Sequence, residues 1–574
     1  MTAKKCRVAD ALAAAVKRHG VEVVFGQSIP SAFILALPAV GIRQIGYRTE
    51  NAGGIMADGY ARVSHKVGVV CAQNGPAATL LVPPLAEAMK ASIPIVAIVQ
   101  DVPRSMVDRN AFQEFDHIAL FQSCTKWVRR IDRADRLDDF VDMAFVAATS
   151  GRPGPVALIV PMDLLREEAM PHQSRLASLG TFPLDRTVAD PDRVLQAAGL
   201  IAAAKSPLII AGGGVHISDA AADLVALAEM AAIPVATTNM GKGAIAEDHP
   251  LALGVFCNNL MRGVRAGELR DYLATADVIL LAGTRTNQNG TDSWKTYPRQ
   301  ATYVHIDIDP NEVGRNYEAL RLVGDAKLTI KALAAALASS GPTADCSQVA
   351  ERTRLAARAV ERYLDEVGTG SNGRVRPEYT MRMLDAELRS DDIVVADASY
   401  SSNWITSYLS SQRHGQRFLT PRGLAGLGWG MPLAIGAKIA KPGSRVVCVV
   451  GDGGFGHCWQ ELETARRLEL PLTIILLNNA ILGFQYHAEN VHYAMHSDAV
   501  DFSEVDHAAI ARACGCKGVR IAEPHQFRPA LQDALAFDGP TLIEVMTDPE
   551  AFPPISLFDG VDRSRIVSQQ MVRG

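Results

Sequence analysis

Short oily runs alternate with helical patterns along the whole chain. CRVADALAAAVKRHG gathers Ala and Val on one face at helical spacing. EVVFG and KVGVVCAQ read as strands bounded by turn residues. IPIVAIV and VALIVPMD are continuous apolar runs, the kind a strand buried on both faces requires. Helical patterns separate these runs, which predicts parallel α/β. The alternation returns in VLQAAGLIAAAK, SPLIIAGGGV, DVILLAGTRTN and TYVHIDIDP, and again in DIVVADAS, SRVVCVVGDGG, LTIILLNN and PTLIEVMTD. Two stretches rich in Pro, Ser and Asp, PHQSRLASLGTFPLDRTVADPDR and SSGPTADCSQ, read as linkers. Three consecutive open parallel-sheet domains are therefore expected, over 1–175, 190–340 and 350–574. The first and third blocks have similar strand content, as a duplicated fold would leave, although periodicity alone does not establish one.

Composition narrows the class. A chain of 574 residues with 48% hydrophobic and 21% charged residues has room for large cores and is not globally disordered. Its net charge of -5 and the lack of a long basic run argue against nucleic acid as a main partner. The 9 Cys form neither a zinc pattern nor a secreted disulfide framework, so buried free thiols are expected. The first residues lack a signal peptide's oily core, and no apolar run reaches the length of a membrane span. A cytoplasmic protein with no membrane partner is the expectation.

The segment GDGGFGHCWQELETARRLELPLTIILLNN, Gly451 to Asn479, carries the chemistry. If SRVVCVV and LTIILLN are parallel strands of one sheet, Asp452 and Asn479 leave it at the same edge, where open α/β sheets bind ligands. One carboxylate and one amide oxygen suit Mg²⁺, which completes its octahedron with phosphate oxygens and water. Gly451, Gly453, Gly454 and Gly456 would let the backbone approach a diphosphate. Two tight turns are the plain alternative. No Walker loop or dinucleotide fingerprint is present.

This segment resembles the diphosphate-binding motif of thiamine-diphosphate-dependent enzymes. The resemblance implies Mg²⁺ held by Asp452, Asn479 and the main-chain oxygen of Ile481. It also implies that the first and third domains are of the thiamine-diphosphate-binding type and the middle one Rossmann-like. GYRTENAGGIMADGYAR resembles the family's segment for the activating acid, which places that role on Glu50. A carboxyl bonded to the pyrimidine ring promotes the imino tautomer that takes the C2 proton, and a raised pKa would suit that exchange. Thr49 stands where many members have His. The alternative for Glu50 is a helix cap or a salt bridge. PRGLAGLGWGMPLAIGAK resembles the segment between the two cofactor rings, with Gly426 against the cofactor and Leu427 as the wedge that bends it. An ordinary core leucine is the alternative.

Within the family, NAFQEFDHIALFQSCTKW and QNGPAATLLVPPLAEAMKASIPIVAI resemble the acetolactate-synthase-like branch. Phe112 and Gln113 then line the substrate side, with Gln113 donating to a substrate carbonyl or carboxylate. Asn74, Gly75 and Ser28 are their neighbours, and Ser28 replaces the usual Gly. Leu482 and Gln485 offer pocket wall, and His487 is a candidate proton shuttle or a structural residue. Biosynthetic synthases carry Trp at the position of Ala488, so the expectation is a lyase or carboligase acting on a 2-ketoacid or 2-hydroxycarbonyl compound, other than the ordinary branched-chain enzyme. The alternative is a 2-hydroxyacyl-CoA lyase or an oxalyl-CoA-type decarboxylase. GTRTNQN matches the family's FAD-contacting Arg at Arg285 but lacks the usual second Arg. FAD, an ADP group, part of coenzyme A or an empty middle domain remain open there. FPPISLFDGVDRSRIVSQQMVRG is a candidate cover for a coenzyme A site. In the family the first domain of one subunit faces the third of its partner, which implies a dimer or tetramer with shared active sites.

Overall fold

A computed structural model describes residues 6–169, 175–338, 346–371, 373–562 and 566. Parts of both linker readings lie outside the described residues, as do the first five positions and most of the closing stretch beyond 562.

Three six-stranded sheets follow one another, and every pairing within them is parallel. The first holds β1 (Val23–Phe25), β2 (Arg43–Ile45), β3 (Gly68–Ala72), β4 (Ile95–Asp101), β5 (Trp127–Arg130) and β6 (Val156–Pro161), in the order β2-β1-β3-β4-β6-β5. The middle sheet holds β7 (Pro207–Ala211), β8 (Val235–Thr237), β9 (Ala252–Val255), β10 (Val278–Ala282), β11 (Thr302–Asp307) and β12 (Ala319–Val323), in the order β9-β8-β7-β10-β11-β12. That is the doubly wound Rossmann order. The third holds β13 (Ile393–Ala396), β14 (Phe418–Leu419), β15 (Val446–Gly451), β16 (Leu472–Asn478), β17 (Lys517–Ile521) and β18 (Pro540–Met546), in the order β14-β13-β15-β16-β18-β17. Position by position, this repeats the winding of the first sheet, a likeness that strand content alone did not establish.

Each oily run read as a strand forms one, whereas β2, β5, β8, β9, β12, β14 and β17 are marked by no such run. All of β4 and β6 is buried, as helices on both faces of a parallel sheet require. The helices used below are α1 (Val8–Arg18), α2 (Glu50–Ser64), α3 (Val82–Ala91), α4 (Tyr400–Tyr408), α5 (Gly430–Ala440), α6 (Glu461–Arg467) and α7 (Gly483–Tyr493). Val8, Leu12 and Val16 of α1 recur at i, i+4 and i+8, and all three join the core of Val69, Ile98 and Leu158. Cys71, Cys124, Cys257, Cys448, Cys458 and Cys516 are buried free thiols. Cys6 and Cys514 are only half-buried, which corrects the expectation of uniformly buried thiols.

The chain forms two compact units: Met1–Asp185 with Pro421–Gly443 and Cys458–Leu470, and Arg186–Thr420 with Ser444–His457 and Pro471–Gly574. In the first unit, α2 and α5 are buried along almost their whole length. They meet main chain to main chain. A Cβ on Gly59 would collide with the Leu433 carbonyl, and one on Gly436 with the Met56 carbonyl. Glycine at both positions is what allows this approach.

Candidate active site

In the second unit, β15 and β16 are parallel neighbours, with Gly451 opposite Leu477. Asp452 and Asn479 each follow the last residue of their strand and leave the sheet on the same edge. The two asparagines of the turn divide the work. Asn478 is taken up by the fold: its amide donates to Glu544 at 2.7 Å and its oxygen accepts the Ala480 N–H at 3.1 Å. Asn479 stays at the rim, half-buried, its oxygen accepting only a long 3.3 Å bond from the Ile481 N–H. Ala480 between them has φ +59, the left-handed value that folds the chain back so tightly.

Asp452 is 7% exposed. Burial pushes its carboxyl up to about 7, while the N–H groups of Gly453, Asp452 itself, Ala480 and Asn479 pull the other way. The carboxylate thus lies against the asparagine turn in surroundings that disfavour an uncompensated negative charge. Among the described residues no three His, Cys, Asp or Glu converge. The groups on hand to hold a cation at this edge are instead one carboxylate, one side-chain amide and the main chain of the turn after Asn479. These are oxygen donors with a single charge, which fits Mg²⁺ shared with a diphosphate and does not suit a thiolate- or imidazole-bound metal. Leu482 and Phe502 pack over Gly453.

Beyond this turn, Gln485 is exposed and bonds along its own helix to Glu489 at 3.1 Å. His487 is fully buried, its Nδ1 2.8 Å from the Tyr400 hydroxyl and its ring stacked on that tyrosine. Phe552 and Phe558 pack edge-on to the same imidazole. The histidine is part of an aromatic core, and the Tyr400 partnership had no signal in the sequence. Ala488 is buried beside it.

In the first unit, Glu50 is the first residue of α2 and is half-buried. Thr49 caps the helix, its side chain accepting the Ala52 N–H at 3.3 Å. The two residues before Glu50 are held by Glu461 of α6, whose carboxylate accepts the N–H of Arg48 at 3.1 and 3.2 Å and of Thr49 at 3.1 Å. Burial raises the Glu461 pKa, and the donors Thr464, Arg48 and Thr49 oppose that rise. Leu427 is half-buried rather than sealed in a core, and Gly426 lies against the Trp429 ring.

The two segments of the acetolactate-synthase-like pattern meet. Asn74 donates to the main-chain oxygen of Gln113 at 2.9 Å, and the Gln73 amide donates to Gln113 Oε1 at 2.6 Å. The oxygen of the Gln113 side chain is thereby occupied, leaving its NH₂ as the end to present to a ligand. Gly75 has φ +65, and its N–H donates to His117 Nε2 at 3.0 Å. The other ring nitrogen of His117 lies 3.2 Å from Asp101 without making a hydrogen bond, so the Gly75 N–H, donating to Nε2, is what sets the tautomer. Phe112 is 86% exposed and is no core residue. Ser28 is exposed in the loop after β1, its carbonyl accepting from the Ser31 hydroxyl at 2.8 Å. In the second unit, Arg285 is half-buried just past the carboxyl end of β10, which pairs with β7 where the strand order of the middle sheet reverses.

Comparison with known proteins follows the same division. Residues 6–120 match the N-terminal TPP binding domain of thiamine pyrophosphate enzymes, 194–333 the central domain and 397–545 the C-terminal TPP binding domain. A probable acetolactate synthase large subunit of Methanococcus aeolicus is 34% identical over 567 residues, covering 95% of this chain and 92% of the relative. Its counterpart in Methanocaldococcus jannaschii is also 34% identical, over 95% and 93%. The acetolactate synthase isozyme 2 large subunit of Escherichia coli is 31% identical, over 93% and 94%. Matches in all three domains, in order and over nearly the full length, place the chain among the thiamine-diphosphate-dependent enzymes, in the acetolactate-synthase-like family.

Proposed function

We propose that the protein is a carbon–carbon lyase or carboligase acting on a 2-ketoacid or 2-hydroxycarbonyl donor, and that it is not the ordinary branched-chain synthase. The observation that carries the cofactor half is the buried Asp452 carboxylate against the Asn479 turn. In this reading Asp452, Asn479 and the Ile481 carbonyl hold Mg²⁺, and Gly451, Gly453 and Gly454 border the diphosphate. Thiamine diphosphate, when bound, supplies a nucleophilic C2 carbon and an electron sink for cleavage beside a carbonyl. The chain's own part is orientation and proton control. Glu50, set at a helix start by Thr49 and Glu461, exchanges a proton with the pyrimidine ring. Leu427, with Gly426, holds the cofactor bent. The Gln113 NH₂ donates to a substrate oxygen, Gly75 lies against the cofactor, and Phe112, Asn74, Leu482 and Gln485 border the substrate, with Ser28 altering the pocket.

Departure from the branched-chain reaction rests on Ala488, a methyl where the resembling synthases carry a tryptophan, and on Ser28 in place of glycine. A coenzyme A nucleotide in the middle domain is the point on which the acyl-CoA lyase alternative turns; FAD beside Arg285 is a separate reading. Self-association into a dimer or tetramer with shared sites is favoured by Phe112, Phe115 and Leu80, which a single chain leaves exposed. Among the described residues no helix is long and apolar enough to cross a membrane; a cytoplasmic location is part of the proposal.

The test is product analysis by mass spectrometry with thiamine diphosphate, Mg²⁺ and a panel of 2-ketoacids, aldehydes and acyl-CoA thioesters, with and without FAD. Ligation or cleavage products from non-thioester donors are expected. Turnover of acyl-CoA thioesters alone would replace this reading with the alternative, and acetolactate and acetohydroxybutyrate as the preferred products would restore the ordinary synthase.

A further inference from the structure

Glu87 lies on α3, is fully buried and has no part in the chemistry described so far. Its surroundings are built for a carboxylate. Three successive main-chain N–H groups, of Gly423, Leu424 and Ala425, donate to it, the first at 2.7 Å and the third at 3.3 Å. Arg62 of α2 stands 3.8 Å away and is itself bonded to Asp58, one turn earlier on the same helix, at 3.0 Å. A buried ionised carboxyl is costly unless its oxygens are matched by donors and charge, and here both are supplied. The match reaches down to shape. A Cβ on Gly423 would stand 2.6 Å from the Glu87 carbonyl oxygen and 2.9 Å from its carboxyl carbon, so only glycine lets the turn close on the acid.

These bonds grip the turn immediately before Gly426 and Leu427. On its far side the segment enters α5, which is fixed against α2 by the Gly59 and Gly436 contacts. Glu87 therefore supplies the near anchor of a short loop whose far anchor is a helix crossing with no slack. Without it, three consecutive N–H groups lose their acceptor and Leu427 is free to wander at one end.

We propose that Glu87 is a positioning residue of the reaction: by binding the Gly423–Ala425 amides, with Arg62 and Asp58 behind it, it sets the place of Leu427 against the cofactor. The inference rests on the reading of Leu427 as the wedge, and its structural half stands without any cofactor.

The full-length protein carrying Glu87→Gln tests it. Glutamine keeps the reach but has one acceptor oxygen for three donors and no charge for Arg62. Two quantities are measured: hydrogen–deuterium exchange of the 421–428 peptide without cofactor, and C2 deuterium exchange of thiamine diphosphate at saturating cofactor and Mg²⁺. Faster amide exchange is expected, together with C2 exchange slowed by about ten- to a hundredfold, the cost of misplacing a reacting group by roughly an ångström. Leu427→Ala should slow C2 exchange by itself, and adding Glu87→Gln should slow it little further. Unchanged amide protection, or C2 exchange within twofold of the parent while Leu427→Ala slows it, overturns the role of Glu87. Unchanged exchange in Leu427→Ala overturns the wedge and the inference with it. If Glu87→Gln does not fold, Glu87→Asp, which keeps the charge and withdraws the oxygens from the turn, is read by the same two measurements.

Discussion

Glu461 accepts the main-chain N–H of Thr49 at 3.1 Å, tying the residue before Glu50 to a helix more than four hundred positions away in sequence. A buried carboxylate thus sets the start of the helix that carries the candidate activating acid. The expected outcome for Glu461→Gln is a stability loss of about 1–3 kcal/mol, from amides left with a weaker acceptor, measured by chemical denaturation. Glu50→Gln should leave stability within about 0.5 kcal/mol yet cut C2 proton exchange sharply. Normal exchange in that variant removes Glu50 from its assigned role.

Asp452 makes a pH-dependent prediction. Burial pushes its carboxyl from the ordinary 3.8 up to about 7 in the folded chain, so the folded metal-free protein holds more protons than the unfolded chain between those limits. Stability of the metal-free protein should therefore fall as pH rises from about 4 to about 7, by an amount on the order of 4 kcal/mol. A bound cation would relieve the charge. Added Mg²⁺ with thiamine diphosphate should raise the melting temperature more at pH 8 than at pH 6, and this difference should vanish in Asp452→Ala. Equal shifts at both pH values in the parent protein count against the ligand role.

Phe112 separates function from folding. With its side chain 86% exposed, Phe112→Ala should change the stability of the single chain by no more than about 0.5 kcal/mol. Steady-state kinetics should show a higher KM for the donor substrate. Unaltered kinetics would place the ring outside the substrate pocket.

The crossing of α2 and α5 makes the opposite kind of prediction. Gly436→Ala should destabilise the protein by about 1–3 kcal/mol or more, because the added methyl meets the Met56 carbonyl rather than a side chain that can turn aside. Thermal unfolding of the purified variant checks it, with Gly443→Ala, where the added Cβ meets nothing within 4 Å, as the comparison.

What the sequence made legible was what short segments encode. Oily runs located the central strands of all three sheets but not the short or partly polar strands β2, β5, β8, β9, β12, β14 and β17; Gly-Asp-Gly and Asn-Asn lie beside two such runs, so the turns at Asp452 and Asn479 could be placed together from the sequence. Resemblance supplied the family. What stayed hidden depends on contacts between distant segments. Nothing in VPPLAEAMKA says that its single acid will be met by the amides of Gly423 to Ala425, 336 to 338 positions away. A single acid on the apolar face of the helix, beside Pro84, Leu85, Ala88 and Ala91, was the available signal for Glu87. His487 was hidden for the same reason, since its partner Tyr400 is 87 positions distant. The strand order of the third sheet, which repeats the first, is equally a matter of winding and not of pattern.

That repetition pairs up strand ends that share no wording. Glu50 follows β2 and the Leu427 loop follows β14, the outermost strands of their sheets at matching positions. Asn74 and Gly75 follow β3 where Asp452 and Gly453 follow β15, and Asn479 follows β16 where the Asp101 end of β4 lies. Two copies of one scaffold have kept the same three exits open and furnished them differently, with Glu50, Asn74 and Asp101 in one and the Leu427 loop, Asp452 and Asn479 in the other. Transplanting a residue between twin exits, rather than scanning the surface, is then the economical route to altering what this catalyst accepts.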